Sequence, residues 1–245
     1  MVRDTTAAMM VIGNEILSGK VVDTNSAFLA QQLRSVGLAL RRIVVVPDEV
    51  AVIADAVREL APAVDLLFTS GGVGPTHDDV TIAGIARGLG RAVVRHPVLE
   101  AALREYIGEE LNDAQRKLAE VVEGSHLECA SDAATFPIVR VENIYVLPGI
   151  PEIFREKVLA LCPRLRREPY HLRIVYTREL ETAIAAHLTR TLEQFPDLLL
   201  GSYPKLDDPE YRVRITLESK DEAYVERALA ALLNILPPSA VVRTE

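Results

Sequence analysis

The densest set of side chains capable of chemistry is Thr69-Ser70-Gly71-Gly72-Val73-Gly74-Pro75-Thr76-His77-Asp78-Asp79-Val80-Thr81. It follows the apolar run Val64 to Phe68 and precedes a segment of helical period, so it reads as strand, glycine turn and helix start. Small residues let backbone N–H groups close on a phosphate, and a helix N-terminus adds positive potential there. Asp78 and Asp79 could then join a divalent cation to that phosphate. A tight turn alone requires one or two glycines, not this density of Gly, Thr, His and Asp. The sequence is no Walker A loop, because no Gly-Lys-Ser/Thr follows. Nor is it Gly-x-Gly-x-x-Gly, because the glycines fall at 71, 72 and 74 with Pro75 next.

Such a loop needs a sheet behind it. Apolar runs of strand length alternate with helical segments, the pattern of a parallel α/β sheet. Strands are expected at Ala7–Ile12, Leu40–Val46, Asp65–Phe68 and Ala92–Arg95, and helices at Asn25–Val36, Val50–Leu60 and Val80–Leu89. A helical pair is expected over Pro97–Glu123, then a hairpin of Phe136–Val141 and Asn143–Leu147 turning near Glu142-Asn143. A helix over Ile153–Leu161 follows, before Cys162-Pro163.

Ligands of an open parallel sheet bind beyond the carboxyl ends of its strands. Gly13-Asn14-Glu15 and Asp23-Thr24-Asn25 follow the first strand, Asp48 the second, the glycine loop the third, and Pro148-Gly149 the strand ending at Leu147. Expected ligand contacts are Gly13, Glu15, Asp23, Asn25, Pro148 and Gly149, with Ser70, Gly71, Gly72, Gly74, Pro75, Thr76 and Thr81 from the loop. Asp48, Asp79 and His77 are the candidate catalytic groups, and Asp48, Asp78 and Asp79 the candidate Mg²⁺ ligands. Metal-activated water attacking phosphorus is the chemistry such a set suggests.

Each of these residues also has a plainer structural reading. Asp23, Thr24 and Asn25 serve equally as helix N-caps, and Asp48 and Asp79 suit caps for the helices that follow them. A histidine such as His77 is more often structural or solvent-exposed than catalytic. His96, His126, His171 and His187 have no ligand spacing and read as structural, Lys20 is a weak phosphate candidate, and Tyr203-Pro204-Lys205 reads as a loop.

Composition sets outer bounds. The 245 residues are 49% hydrophobic and 25% charged, as in ordinary globular proteins, and suffice for two domains. A formal net charge of −8 argues against a nucleic-acid or anionic-membrane partner, while anionic small molecules remain open where a pocket or metal compensates. The two cysteines, Cys129 and Cys162, imply neither a disulfide framework nor a zinc cluster. The run Ala7 to Ile12 is too short for a signal peptide or membrane helix, so the expected location is cytoplasmic. After Pro169 the order becomes β-α-β-β-α-β, with strands at His171–Tyr176, Leu198–Tyr203, Tyr211–Leu217 and Ala240–Arg243 and helices at Glu179–Phe195 and Asp221–Leu236. The expected fold class is therefore α/β, a doubly wound, mostly parallel sheet over 1–166, with a smaller ferredoxin-like α+β domain over 167–245.

Gly13-Asn14-Glu15-Ile16-Leu17 with Asp23-Thr24-Asn25, Ser70 to Thr81, and Leu147-Pro148-Gly149-Ile150-Pro151 together resemble the MoaB/Mog (molybdopterin-binding) domain superfamily, from residue 7 to about 160. Within it the chain is similar to the N-terminal domain of competence/damage-inducible protein A and to the molybdopterin-binding-like domain of FAD synthases. Phe136-Pro137-Ile138-Val139 and Pro148-Gly149-Ile150-Pro151-Glu152 look nearer the FAD synthase version, and the Gly-Thr-Ala-Pro-Gly segment of the competence-protein version is missing.

This resemblance implies binding of adenylated or pterin-type ligands. It implies hydrolysis of ADP-ribose or FAD at the pyrophosphate with a divalent metal (Mg²⁺, or Mn²⁺ or Co²⁺), with Asp48 and Asp79 matching the functional carboxylates of molybdopterin adenylyltransferases. Relatives are commonly dimers or trimers, so a homo-oligomer is expected. The deamidase and FAD-making domains of longer relatives have no counterpart here, so those activities are not expected. The resulting expectation is a metal-dependent nucleotide pyrophosphatase. The alternatives are a molybdopterin-binding or adenylyltransferase protein, and a domain that has lost catalysis and serves assembly. His77 favours the hydrolase, and intact Asp48 and Asp79 argue against lost catalysis.

Overall fold

The computed structural model describes residues 4–108, 110–128 and 136–245. Cys129, and the segment where the competence-protein sequence is missing, lie outside these residues, as does the start of the chain up to residue 3. The chain divides into two units, Met1–Arg167 and Glu168–Glu245.

The first unit runs β1 (Thr6–Ile12), α1 (Asn14–Leu17), α2 (Asn25–Ser35), β2 (Ala39–Val46), α3 (Val50–Leu60), β3 (Leu66–Ser70) and α4 (Thr81–Leu89). It continues with β4 (Val93–Arg95), α5 (Pro97–Ile107), α6 (Asp113–Lys117), β5 (Glu120–Val122), β6 (His126–Glu128), β7 (Ile138–Val141), β8 (Ile144–Leu147) and α7 (Pro151–Leu165). Six strands form one sheet in the order β2-β1-β3-β8-β7-β6. β2, β1, β3 and β8 are mutually parallel, while β7 and β6 extend the edge antiparallel.

β1 is central and buried on both faces, which is why its sequence is a continuous apolar run rather than an alternation. Ala7, Met9 and Val11 pack with Leu29 and Leu33 of α2 and Phe154 and Val158 of α7. Ala8, Met10 and Ile12 pack with Ile53 and Val57 of α3 and Ile85 of α4. Helices therefore cover both faces, and the sheet is doubly wound as expected. α3 and α4 approach through Gly84, where a Cβ would lie 2.4 Å from Ile53 Cγ2.

Two expectations are corrected, and two short elements are added. The helical pair over Pro97–Glu123 shrinks to α5 and the short α6, because Glu120-Val121-Val122 forms β5 and pairs with β4 in a separate two-stranded sheet. Val121 and Val122 are β-branched and buried, and strand pairing suits them better than a helix. α7 continues to Leu165 with Pro163 inside it. Pro163 removes one backbone donor near the helix end, and burial of Leu161, Cys162 and Leu165 outweighs that loss. α1 and β6 were not anticipated, being short and without periodic pattern. The expected hairpin forms, with Glu142 at φ 51 in its turn.

The second unit runs β9 (His171–Thr177), α8 (Glu181–Gln194), β10 (Leu199–Pro204), β11 (Val213–Ser219), α9 (Glu222–Ile235) and β12 (Val241–Thr244). Its four strands are antiparallel in the order β10-β11-β9-β12, the split-βαβ topology of a ferredoxin-like module. β10 runs one residue past the strand expected at Leu198–Tyr203 and takes in Pro204, so of Tyr203-Pro204-Lys205 only Lys205 lies beyond the strand. Among the described residues no helix is long and apolar enough to cross a membrane.

The close α3–α4 packing makes a direct prediction. Gly84→Ala should lower unfolding free energy by about 1–3 kcal/mol through overpacking against Ile53. Urea unfolding measures this, and an unchanged midpoint would show that the two helices do not meet as closely as described.

Candidate functional site

The sheet order turns back at β1: the chain leaves β1 for β2 on one side and returns through α3 to β3 on the other. The crevice beyond the carboxyl ends of β1 and β3 is the switch point of the sheet, where ligands of such folds bind. There the loop leaving β3 presses against the end of β1. Gly71 has φ 103, and a Cβ on it would lie 2.2 Å from the Ile12 carbonyl oxygen. Gly71 N–H donates to the Leu147 carbonyl at 3.3 Å, and a Cβ on Gly149 would come within 3.2 Å of Gly71 Cα. The ends of β1, β3 and β8 thus meet through backbone alone.

The start of α4 locks the loop. Thr81, fully buried, donates its hydroxyl to the Gly71 carbonyl at 2.8 Å and its N–H to the Gly72 carbonyl at 3.0 Å. Gly72 has φ 63 and Thr81 Oγ1 against its α-carbon, so side chains are excluded at two successive positions. Among the described residues, no protein acceptor takes the N–H groups of Gly72, Val73 and Gly74. Three successive free donors on a half-buried loop suit an anion.

The carboxylates divide into braces and free groups. Asp79 does not cap α4. Its Oδ2 accepts from Thr76 N at 2.8 Å and from the Thr76 hydroxyl, and it lies against Gly74 Cα, where a Cβ would be 2.6 Å away. Asp48 does not cap α3. Its Oδ2 accepts from Asn14 N at 2.7 Å and so ties the end of β2 to the start of α1. Asp23 does serve as a cap, its Oδ1 accepting from Asn25 N at 2.9 Å and Ser26 N at 3.0 Å. Glu15 folds its exposed carboxylate back over Gly13.

Asn25 is a clamp. Only 4% exposed, it donates through Nδ2 to Ser70 Oγ at 3.0 Å and to the Gly149 carbonyl at 2.9 Å. One side chain therefore fastens the start of α2 to the end of β3 and to the Pro148-Gly149 turn. Ser70 completes the join by donating to the Pro148 carbonyl at 3.4 Å. The Asn25 Oδ1 is buried without a hydrogen-bond partner, an acceptor still open to a donor.

The structure brings Gly13, Glu15, Asn25, Asp48, Ser70, Gly71, Gly72 and Gly74 to one edge of the sheet, and Asp79 with Thr76 to the rim of its loop. His77 points into solvent, with its side chain 97% exposed, and the nearest carboxylate is Asp78 at 3.9 Å. Thr76 hydrogen bonding is the first cause holding the Asp78 carboxyl below the usual range, followed by its own backbone N–H, His77 and Lys117. The Thr76 hydroxyl has a single proton and gives it to Asp79, so the two carboxylates compete for it.

A cation that the sequence did not announce reaches this loop. Lys117, from the last turn of α6, donates to the Thr76 carbonyl. It is 41 residues away in sequence and carries no motif, so only folding could place it.

Among the described residues, no group of three His, Cys, Asp or Glu side chains stands together as a metal cage. Asp48, Asp78 and Asp79 are thus not gathered into one all-protein cage. Among the described residues, Asp48 and Asp79 each engage Oδ2 and leave Oδ1 without a hydrogen-bond partner. Hard oxygens of this kind fit a hydrated Mg²⁺ whose remaining ligands are water and phosphate, not an all-protein site.

A family profile described as a probable molybdopterin binding domain matches residues 8–167, and one described as the FAD synthase middle domain matches 169–245. A protein of Archaeoglobus fulgidus is 34% identical over 92% of this chain and 95% of its own length. A probable FAD synthase of Caenorhabditis elegans is 34% identical over 94% of this chain, which spans only 50% of that enzyme. Among solved structures, the CinA protein of Thermoplasma acidophilum, of unknown function, superposes with a TM-score of 0.61 at 29% identity, covering 66% of this chain and 98% of that one.

The Asn25 clamp can be tested directly. Asn25→Ala leaves the Gly149 carbonyl and Ser70 without their donor and should destabilise the protein by about 1–3 kcal/mol. Chemical denaturation checks the magnitude, and a shift below a few tenths of that range would remove Asn25 from its role.

Proposed function

The chain belongs to the molybdopterin-binding (MoaB/Mog-like) domain family, and from that premise we propose that it is a metal-dependent nucleotide pyrophosphatase acting on ADP-ribose, FAD or a similar dinucleotide. The observation that carries this reading is the run of free N–H groups on Gly72, Val73 and Gly74, held beside the switch point by the contact of Gly71 with Ile12. Donors preset in a half-buried loop cost no reorganisation when a pyrophosphate arrives. The ends of β1 and β8, on either side of β3, leave an edge on which the rest of a dinucleotide can lie. Similarity to a probable FAD synthase over most of this chain supports a ligand of the nucleotide class.

In this reading the Gly72–Gly74 amides orient one phosphate group. Lys117 adds positive charge to a loop that otherwise bears Asp78 and Asp79. Asp48 and Asp79 would hold the cation with the oxygens they leave free. When bound, that cation supplies Lewis acidity at phosphorus and an activated water. Thr76 keeps Asp79 in a fixed position through two hydrogen bonds, so the carboxylate does not have to be ordered during the reaction. Hydrolysis of the P–O–P bond of ADP-ribose or FAD releases AMP. His77 is a rim residue in this account rather than the general base.

The test offers ADP-ribose, FAD, and ATP with molybdopterin to the full chain with Mg²⁺, Mn²⁺ or Co²⁺ and follows AMP. AMP is expected from at least one dinucleotide, only with metal. Asp79→Asn keeps an acceptor for Thr76 N but loses the charge. It should lower that rate on the order of a hundredfold while leaving the unfolding midpoint near wild type. An unchanged rate removes Asp79 from the site. Transfer of the adenylyl group from ATP to the pterin, with no AMP from any dinucleotide, replaces hydrolysis by adenylyl transfer.

A further inference from the structure

The second unit carries a feature that the pyrophosphatase reading does not use. Val175, Val213, Ile215 and Leu217 face the core that the sheet shares with α8 and α9. Strand alternation sends Tyr176, Gly201, Tyr203 and Arg214 to the opposite face. The register there aligns Tyr203, Arg214, Tyr176 and Arg243 in one row across all four strands. The Arg214 guanidinium lies 5.0 Å from the Tyr203 ring centroid, and that of Arg243 lies 3.7 Å from the Tyr176 centroid.

The two halves of this row differ. Tyr176 is closed in, only 7% exposed, with its hydroxyl on Glu245 at 3.1 Å and its ring edge-to-face with Tyr211. Arg243 is ion-paired with Glu210 and Glu245. Tyr203, by contrast, is 49% exposed. Its ring lies down over Gly201, where a Cβ would be 2.8 Å from the Tyr203 hydroxyl and 2.9 Å from a ring carbon. A side chain at 201 would lift the ring off the sheet.

Cations gather beside this ring. Lys205 N–H donates to the Arg212 carbonyl at 2.7 Å, which places two exposed cationic residues side by side next to Arg214. Among the described residues, none of Lys205, Arg212 and Arg214 makes an ion pair with an acidic side chain. Like charges placed opposite each other on neighbouring strands are unfavourable, and an anion relieves them.

We propose that this corner is a second nucleotide site, in which a base stacks on Tyr203 and its phosphate is met by Arg214, Arg212 and Lys205. Tyr203 rests on Gly201 with Arg214 over its half-exposed ring, so a base takes its place on the ring as Arg214 turns from the ring to the phosphate oxygens that arginine suits. The small extent of the patch selects a mononucleotide over a polymer. Two steps along the same face, the row is Leu199, Glu218 and Leu172, so a longer phosphate backbone would meet apolar groups and a carboxylate. This site is independent of the pyrophosphatase reading and stands or falls separately.

Equilibrium dialysis of the full chain against labelled ADP, with EDTA present, tests it. Tyr203→Ala should weaken ADP binding at one class of sites about tenfold or more, and Tyr203→Phe should bind as wild type. Arg214→Glu should abolish binding at that class. Adenosine and ribose 5-phosphate, each lacking half of the ligand, should both bind more weakly than ADP. AMP release by the first unit should be unchanged in Tyr203→Ala, and the circular dichroism of each variant should match wild type. ADP binding that is equal in wild type and Tyr203→Ala overturns the proposal. So does tighter binding of a thymidine octamer than of ADP, or a Tyr203→Phe variant as weak as Tyr203→Ala.

Discussion

Gly71 lies at φ 103 with its α-carbon against the carbonyl of Ile12, so close that no side chain fits between them. This contact is made where the doubly wound sheet reverses its order, and the rest of the site is arranged around it. Because β1 and β3 are neighbours with parallel ends, their loops leave in the same direction and compete for one volume. Glycine at 71 resolves the competition, Thr81 fixes the loop from the helix side, and Asn25 fixes it from α2. Among the described residues, the N–H groups of Gly72, Val73 and Gly74 are left without a protein acceptor.

The same geometry explains why the carboxylates do two things at once. Asp48 spends one oxygen on the Asn14 N–H at the start of α1, and Asp79 spends one on the Thr76 N–H of its own loop. Those bonds hold the loops in place while the second oxygen remains available. Bracing a loop and holding a ligand are thus compatible uses of one side chain, whereas Asp23 is engaged by two N–H groups of α2 and acts as a cap. The acidity of the loop is offset by Lys117, brought in by the small lobe of α5, α6, β4 and β5. A chain with a net charge of −8 can attract an anion only through such local arrangements.

The second unit follows a different rule. Its strands are half-buried, so they alternate, with one set of residues packed under α8 and α9 and the other left on the open face. Alternation by itself does not say whether the outward set is idle. Gly201 lets Tyr203 lie down, and the register brings Arg214 beside it. In sequence these are separate residues on either side of a turn, and only the pairing of β10 with β11 sets them side by side.

Most of the parallel sheet was legible because strands buried on both faces must be apolar runs, as in Ala7 to Ile12, and their helices must show one apolar stripe, as in α3. The loop was legible because glycines at 71, 72 and 74 with Thr81 have few other uses. Short elements were not legible: α1, β5 and β6 are too brief for periodicity, and their state is decided by what pairs or packs beside them. Pro163 inside α7 shows burial overriding a local breaker. Fold class, the order of the two units and the residue types at the strand ends were readable from the chain because they follow from hydrophobic period and backbone sterics. Tertiary structure alone decided which carboxylate braces and which caps, that His77 faces solvent, and that Lys117 meets Thr76. Those outcomes depend on distances between segments far apart in the chain, and a hydrogen bond exists only within about 3.5 Å of its partner.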